Sequence, residues 1–230
     1  MKLCMFSPAE QDLERGWPGR IEGDVVLQLA AQTLQTLFTG GGEAREHATY
    51  PLKDVILRAP VLHPPSIRIF DDAGDFVFAN PAAIHNPEDP VVLPDDVDTV
   101  EGQLRLAAVI GADQTIGGFT LLNEWHAPQL RGAKARDFAI SLGPVVVTPD
   151  ELETASDWDP LVELVARNTR LYPGDILAAG GELLGPFHDG DVVEVGFDPI
   201  GTLRNSVVAT RRAPRRSRPR ERGRRGTCHR

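Results

Sequence analysis

Gln103, Arg105, Glu124 and Lys134 are residues whose types and setting could support chemistry. They lie between Glu101 and Val147, in or beside three β-like runs. The first run is Leu104-Arg105-Leu106-Ala107-Ala108-Val109-Ile110-Gly111. The second is Gly117-Gly118-Phe119-Thr120-Leu121-Leu122-Asn123-Glu124-Trp125. The third, Val145-Val146-Val147, follows a Ser141-Leu142-Gly143-Pro144 corner. Polar groups at or inside the ends of such runs are held by rigid elements, as a site requires. Arg105 is unusual, because a guanidinium inside an apolar strand is costly unless it is paired or solvated. Side chains repeat every two residues along a strand, so Glu101, Gln103 and Arg105 share one face. His126 offers an imidazole that is either a base or a structurally satisfied side chain. Asp71 and Asp72 read as turn residues or as displaced ligands. No Gly-rich phosphate loop, Gly-x-Ser-x-Gly elbow or Cys/His nucleophile pair occurs, so those enzyme classes drop out.

The elements that must position these residues are mostly short strands. Candidate strands include Arg20–Leu29 around a Gly-Asp turn, Leu52–Leu57, Ser66–Phe70, Asp75–Ile84, Ile176–Gly181, Val192–Val195 and Ile200–Val208. Leu29, Leu34, Leu37 and Phe38 fall near helical spacing before Gly40-Gly41-Gly42. Leu161, Leu164 and Val165 predict a second short helix ended by Asn168. Thr148-Pro149-Asp150-Glu151 has the composition of a capped helical turn. Few helices among many Gly/Pro/Asp-punctuated strands predict a mainly β, α+β protein with a curled or barrel-like core, not a doubly wound fold. The expected organisation is a small amino-terminal α+β domain over 1–60, a main domain over 61–210 and a tail over 211–230.

Composition narrows the class further. An apolar content of 41% with 25% charged residues is that of a soluble globular protein. No run reaches the roughly 18 apolar residues needed to span a bilayer, and the first residues lack a signal-peptide core, so a cytoplasmic location is expected. Cys4 and Cys228 have neither disulfide-framework nor zinc-site spacing. The net charge of −9 conceals an asymmetry. Residues 211–230 hold ten arginines against one acid, Glu221, which leaves −18 on residues 1–210. Such a tail buries too little apolar surface to fold and is expected to be disordered. It is either a solvated extension or a basic arm for nucleic acid, although no aromatic is interleaved with its arginines to stack on bases.

The order of several blocks resembles the fumarylacetoacetate hydrolase family. They are Ser66-Ile67-Arg68, Phe78-Ala79-Asn80-Pro81, Leu106–Gly111, Gly118–Trp125, Lys134 with Asp137-Phe138 and Ser141–Pro144, Pro173-Gly174-Asp175, Gly190–Val195 and Gly201–Asn205. The resemblance covers roughly residues 55–208. It implies a mixed β-roll with a small amino-terminal domain, a homodimer, and Mg²⁺, Mn²⁺ or Ca²⁺ held on four carboxylates. The implied chemistry is cleavage of carbon–carbon bonds in β-diketo acids and acylpyruvates, or decarboxylation and isomerisation of related oxo acids, as in aromatic catabolism. A hard cation on oxygen ligands polarises the substrate carbonyls, and a neighbouring lysine adds charge where the oxyanion develops.

Carried over by position, the family's ligand set is depleted. Its two strand glutamates fall on Gln103 and Arg105, its early aspartate on Ile69, and its later aspartate on Glu124. The resemblance therefore assigns Glu124 and Gln103 as the remaining metal ligands, Lys134 and Glu124 as catalytic residues, and Gln103, Arg105, Asn123 and Gly181 as pocket residues. Gly181 stands where the family has threonine. Arg105 is expected to take the cation's place by pairing with Glu124; Glu124 is otherwise an exposed acid. Lys134 either faces the pocket or pairs with Glu124 or Asp137. Two functions follow: a metal-dependent hydrolase or decarboxylase of small oxo acids, or a non-catalytic relative acting as a binding protein or as partner of an intact paralogue. An eroded or frame-shifted gene is a third source of the losses, given the change in character after Thr210.

Overall fold

Alternating apolar residues draw nearly half of the described residues into strands. The computed structural model describes residues 1–11, 13–71, 74–152, 154 and 157–210, so the Arg-rich segment and Asp72 lie outside the described residues. The chain opens with β1 (Lys2–Pro8), β2 (Trp17–Glu22) and β3 (Val25–Leu29), an antiparallel meander. Gly23, at φ 55°, makes the tight β2–β3 turn without a Cβ penalty.

Helix α1 (Leu34–Thr39) is shorter than the Leu29–Phe38 spacing predicts. Leu29 belongs to β3, and the Thr33 side chain accepts from the Thr36 amide, starting the helix there. β4 (Glu46–Pro51) and β5 (Val55–Arg58) follow, separated by a single 3₁₀ turn at Leu52–Asp54 that delays the strand expected from Leu52.

Next come β6 (Ile67–Phe70), β7 (Phe76–Ala79), β8 (Ile84–His85) and β9 (Val91–Val92). The long strands β10 (Thr99–Ile110) and β11 (Ile116–His126) form an antiparallel hairpin, and β12 (Ile140–Val147) lies against β11. Pro149–Glu151 makes one 3₁₀ turn, but Thr148 does not cap it. Its hydroxyl instead accepts from the Met1 amine, which also pairs with Glu151 at 3.1 Å. Helix α2 (Asp159–Ala166) precedes β13 (Ile176–His188), β14 (Val192–Phe197) and β15 (Gly201–Val208).

One 12-stranded sheet runs β4-β3-β2-β1-β12-β11-β10-β13-β6-β7, with β5 beside β1 and β8 beside β12. A second sheet is ordered β14-β15-β9. The amino-terminal strands are continuous with the large sheet, since Leu3 pairs with Val146. Its two faces bury separate cores. Leu3, Met5, Val109, Leu122 and Leu142 join one, whereas Cys4, Phe6, Ala108, Leu121 and Val145 join the other. A third cluster surrounds Trp125 with Val91, Val193 and Val207. The protein is thus mostly β, and no helix among the described residues is long and apolar enough to cross a membrane.

Candidate active site

The β10–β11 hairpin positions the site. Gln103 is the cross-strand partner of Glu124, Arg105 of Leu122, and Glu101 of His126, so these side chains share one face. On the other side of β10, Leu104 pairs with Glu182 and Leu106 with Ala179. Two glycines, Gly180 and Gly181, therefore oppose Arg105 alone, which is a β-bulge. Both have positive φ, 67° and 151°. The bulge turns the Gly180 carbonyl toward Arg105, whose Nη1 donates to it and, at 3.3 Å, to the Phe70 carbonyl.

Arg105 Nη2 stands 3.6 Å from Glu124 Oε2, with the two side chains only 8% and 3% exposed. A second guanidinium completes the arrangement. Arg136 Nη1 donates to the same Oε2 at 3.0 Å, and its side chain is 44% exposed. Glu124 is thus a buried carboxylate compensated from two sides, which satisfies the requirement that a buried charge be paired. The cluster forms one side of a cavity of about 300 Å³ that Gln103 also lines. The cross-strand partners Ile69 and Val77 give it apolar surface, and Phe70 and the exposed acids Asp71 and Asp75 line it as well. Asp71 Oδ1 accepts from the Asp75 amide at 3.0 Å, within the turn that joins β6 to β7.

The remaining sequence-predicted residues are placed as follows. Gly181 packs over the cluster, where a Cβ would lie 2.8 Å from Gln103 Nε2 and 3.3 Å from Arg105 Nη1. Lys134 lies outside the cavity, 79% exposed, with Nζ 2.9 Å from Asp137 Oδ2. Asn123 sits on the opposite face of β11 from Glu124, because neighbouring strand residues point to opposite sides. It is fully buried, and its Oδ1 and Nδ2 have no hydrogen-bond partner among the described residues. On that same face the Trp125 indole donates to Ser141 Oγ at 3.0 Å. His126 Nδ1 is 3.3 Å from Glu101 Oε2, a local pairing away from the cavity.

Arg136 is the site residue that sequence reasoning missed. It follows the 3₁₀ turn Gly132–Ala135, which the Ala127 amide ties back by donating to the Ala135 carbonyl. The signal available was a cation two residues from Lys134 in the same motif.

These residues do not fit a divalent cation. Such an ion needs several oxygen ligands free to coordinate. Here the central carboxylate already accepts from one guanidinium and faces a second, Gln103 supplies an amide, and Ile69 supplies nothing. No cluster of three or more His, Cys, Asp or Glu side chains among the described residues is arranged to hold a metal.

No family model matches the chain. Among curated proteins, a 2,4-didehydro-3-deoxy-L-rhamnonate hydrolase from Sphingomonas is 26% identical over 176 residues, which cover 55% of this chain and 62% of that protein. Among solved structures, 5-carboxymethyl-2-hydroxymuconate delta-isomerase from Mycobacterium smegmatis matches with a TM-score of 0.75 and 26% identity, over 91% of this chain and 100% of that one. Maleylpyruvate hydrolase from Sphingobium sp. SYK-6, in complex with manganese(II) ion and pyruvate, gives a TM-score of 0.75 at 23% identity, over 91% of this chain and 99% of that one. A mostly β fold shared with proteins that are hydrolases and isomerases defines the class. The chain belongs to the fumarylacetoacetate hydrolase family.

Proposed function

We propose that this protein binds a small oxo acid in the inherited pocket without metal and has lost the metal-dependent cleavage of carbon–carbon bonds. The observation that carries this reading is the double guanidinium clasp on Glu124, with Arg136 at 3.0 Å and Arg105 at 3.6 Å from one oxygen. A cation entering beside Glu124 would meet fixed positive charge and a carboxylate already engaged. The pocket itself is retained, with a hydrogen-bonding floor and an apolar wall. Its role is then that of a binding protein, or of a partner to an intact paralogue. The exposed apolar side chains Val77, Phe78 and Leu183 support a homodimer as part of the same proposal, which light scattering would check.

Manganese titration followed by electron paramagnetic resonance tests the central claim. The expected result is no stoichiometric binding to the purified protein, and no turnover of acylpyruvates with or without the ion. Saturable binding of one Mn²⁺ per chain, abolished by Glu124→Gln, would sink it. The contrary reading, a metal-dependent hydrolase, is favoured by the maleylpyruvate hydrolase structure with its manganese and pyruvate.

A further inference from the structure

We infer that Arg136 is the anchor for the ligand of this pocket, and that the ligand is a small monocarboxylate with an apolar end rather than a dicarboxylate. The inference rests on the metal-free binding reading above and adds the ligand's chemical class and the residue that selects it.

The two arginines of the cavity differ in how many hydrogen-bonding groups they keep available. Arg105 directs Nη1 to two backbone carbonyls and Nη2 to Glu124, so its work is to tie β10 to the β6 end and to the bulge. Arg136 differs. Its guanidinium has five N–H donors, yet among the described residues it makes a single contact, from Nη1 to Glu124. Nearly half exposed at the cavity, it keeps a planar edge of donors that matches a carboxylate's paired oxygens. Gln103 is the second available group. Its half-buried amide lines the same cavity and has no hydrogen bond among the described residues. An amide both donates and accepts, so it suits a carbonyl or hydroxyl beside the carboxylate.

Charge and shape then choose between ligand classes. Glu124 with its two arginines forms an inner group of net charge +1, which favours one carboxylate. Also lining the cavity are the apolar residues Ile69, Phe70 and Val77 and the exposed acids Asp71 and Asp75. A second carboxylate on the ligand would trade water for an apolar wall or approach two acids. An alkyl end would gain burial instead. A cavity of about 300 Å³ has room for a small ligand.

Calorimetry of the full-length protein in chelator, with α-oxohexanoate and α-oxoadipate, tests this, because the two probes differ only in a terminal methyl against a carboxylate. The expected result is that α-oxohexanoate binds about tenfold or more tightly than α-oxoadipate. Arg136→Gln should weaken α-oxohexanoate by about tenfold or more, the worth of a charge-assisted pair, with Arg136→Lys intermediate. Asp75→Asn should narrow the gap between the probes. Equal or tighter binding of α-oxoadipate, or unchanged affinity in Arg136→Gln, overturns this inference while leaving metal-free binding in place. If neither probe binds in chelator but both bind once manganese is added, the underlying reading falls instead. Arg136 is half exposed, so its variants should fold, and Gln103→Leu supplies an independent loss of affinity.

Discussion

Arg105 and Glu124 meet across the β10–β11 hairpin, Nη2 to Oε2 at 3.6 Å, in surroundings nearly closed to water. Neither charge is tolerable there alone. Arg105→Ala should therefore cost about 3 kcal/mol or more of folding stability, because it leaves Glu124 buried against a single half-exposed guanidinium. Replacing both, as Arg105→Leu with Glu124→Leu, removes the uncompensated charge and should recover most of that loss. Urea denaturation of the three proteins reads this out. Equal destabilisation by the single and double variants would mean that the pair is not coupled.

The bulge at Gly180-Gly181 makes room for that guanidinium. With φ at 151° and a Cβ position 2.8 Å from Gln103 Nε2 and 3.3 Å from Arg105 Nη1, residue 181 favours glycine on both conformational and steric grounds. Gly181→Ala should destabilise by about 2 kcal/mol through backbone strain. In a Gln103→Ala background the tightest steric contacts should disappear, leaving the conformational part and the looser approach to Arg105. A cost for Gly181→Ala that is the same in both backgrounds would show that side-chain crowding plays no part.

Much of this was legible in the sequence because it is local. The β-like runs were readable one by one, and period-two alternation gave the shared face of Gln103 and Arg105 and the need to compensate a guanidinium in an apolar strand. The same alternation separates Asn123 from Glu124: their side chains leave opposite faces of β11, so Asn123 belongs to the Trp125 side. Lys134 and Arg136 were not separable by spacing. A 3₁₀ turn sends Lys134 to solvent and Arg136 to Glu124, and that depends on how the loop folds back on Ala127. The bulge was hidden for a similar reason. A Gly-Gly pair marks flexibility, but only the register of β13 against β10 shows that it opposes Arg105.

If the clasp is what excludes a divalent ion, reversing it should readmit one. Gln103→Glu with Arg105→Glu would put three carboxylates, including Glu124, on the shared face of the hairpin. That variant should bind Mn²⁺ at least about tenfold more tightly than the natural sequence, since each added carboxylate supplies a hard oxygen ligand. Removing the remaining competitor with Arg136→Ala should raise affinity again. Free-manganese resonance signals measure both steps. No gain in either would place the ancestral metal site elsewhere in the molecule.

Cys4 provides a test of the core away from the pocket. It is fully buried on β1, opposite Gly19 of β2, and desolvation holds its thiol neutral, raising its pKa from the ordinary 9.0 to about 12. In the unfolded chain the same thiol ionises above pH ~9, so each pH unit beyond that favours unfolding. The group's contribution is therefore complete below about pH 9 and lost as pH climbs toward 12, by about 3 kcal/mol at pH ~11. Cys4→Ala abolishes that dependence while leaving every other titrating group in place. The stability gap between the natural protein and Cys4→Ala, measured by urea denaturation from pH ~8 to ~11, should shift steadily toward the variant. A gap that stays constant with pH would mean that the Cys4 thiol ionises as readily folded as unfolded, and that β1 is open to water.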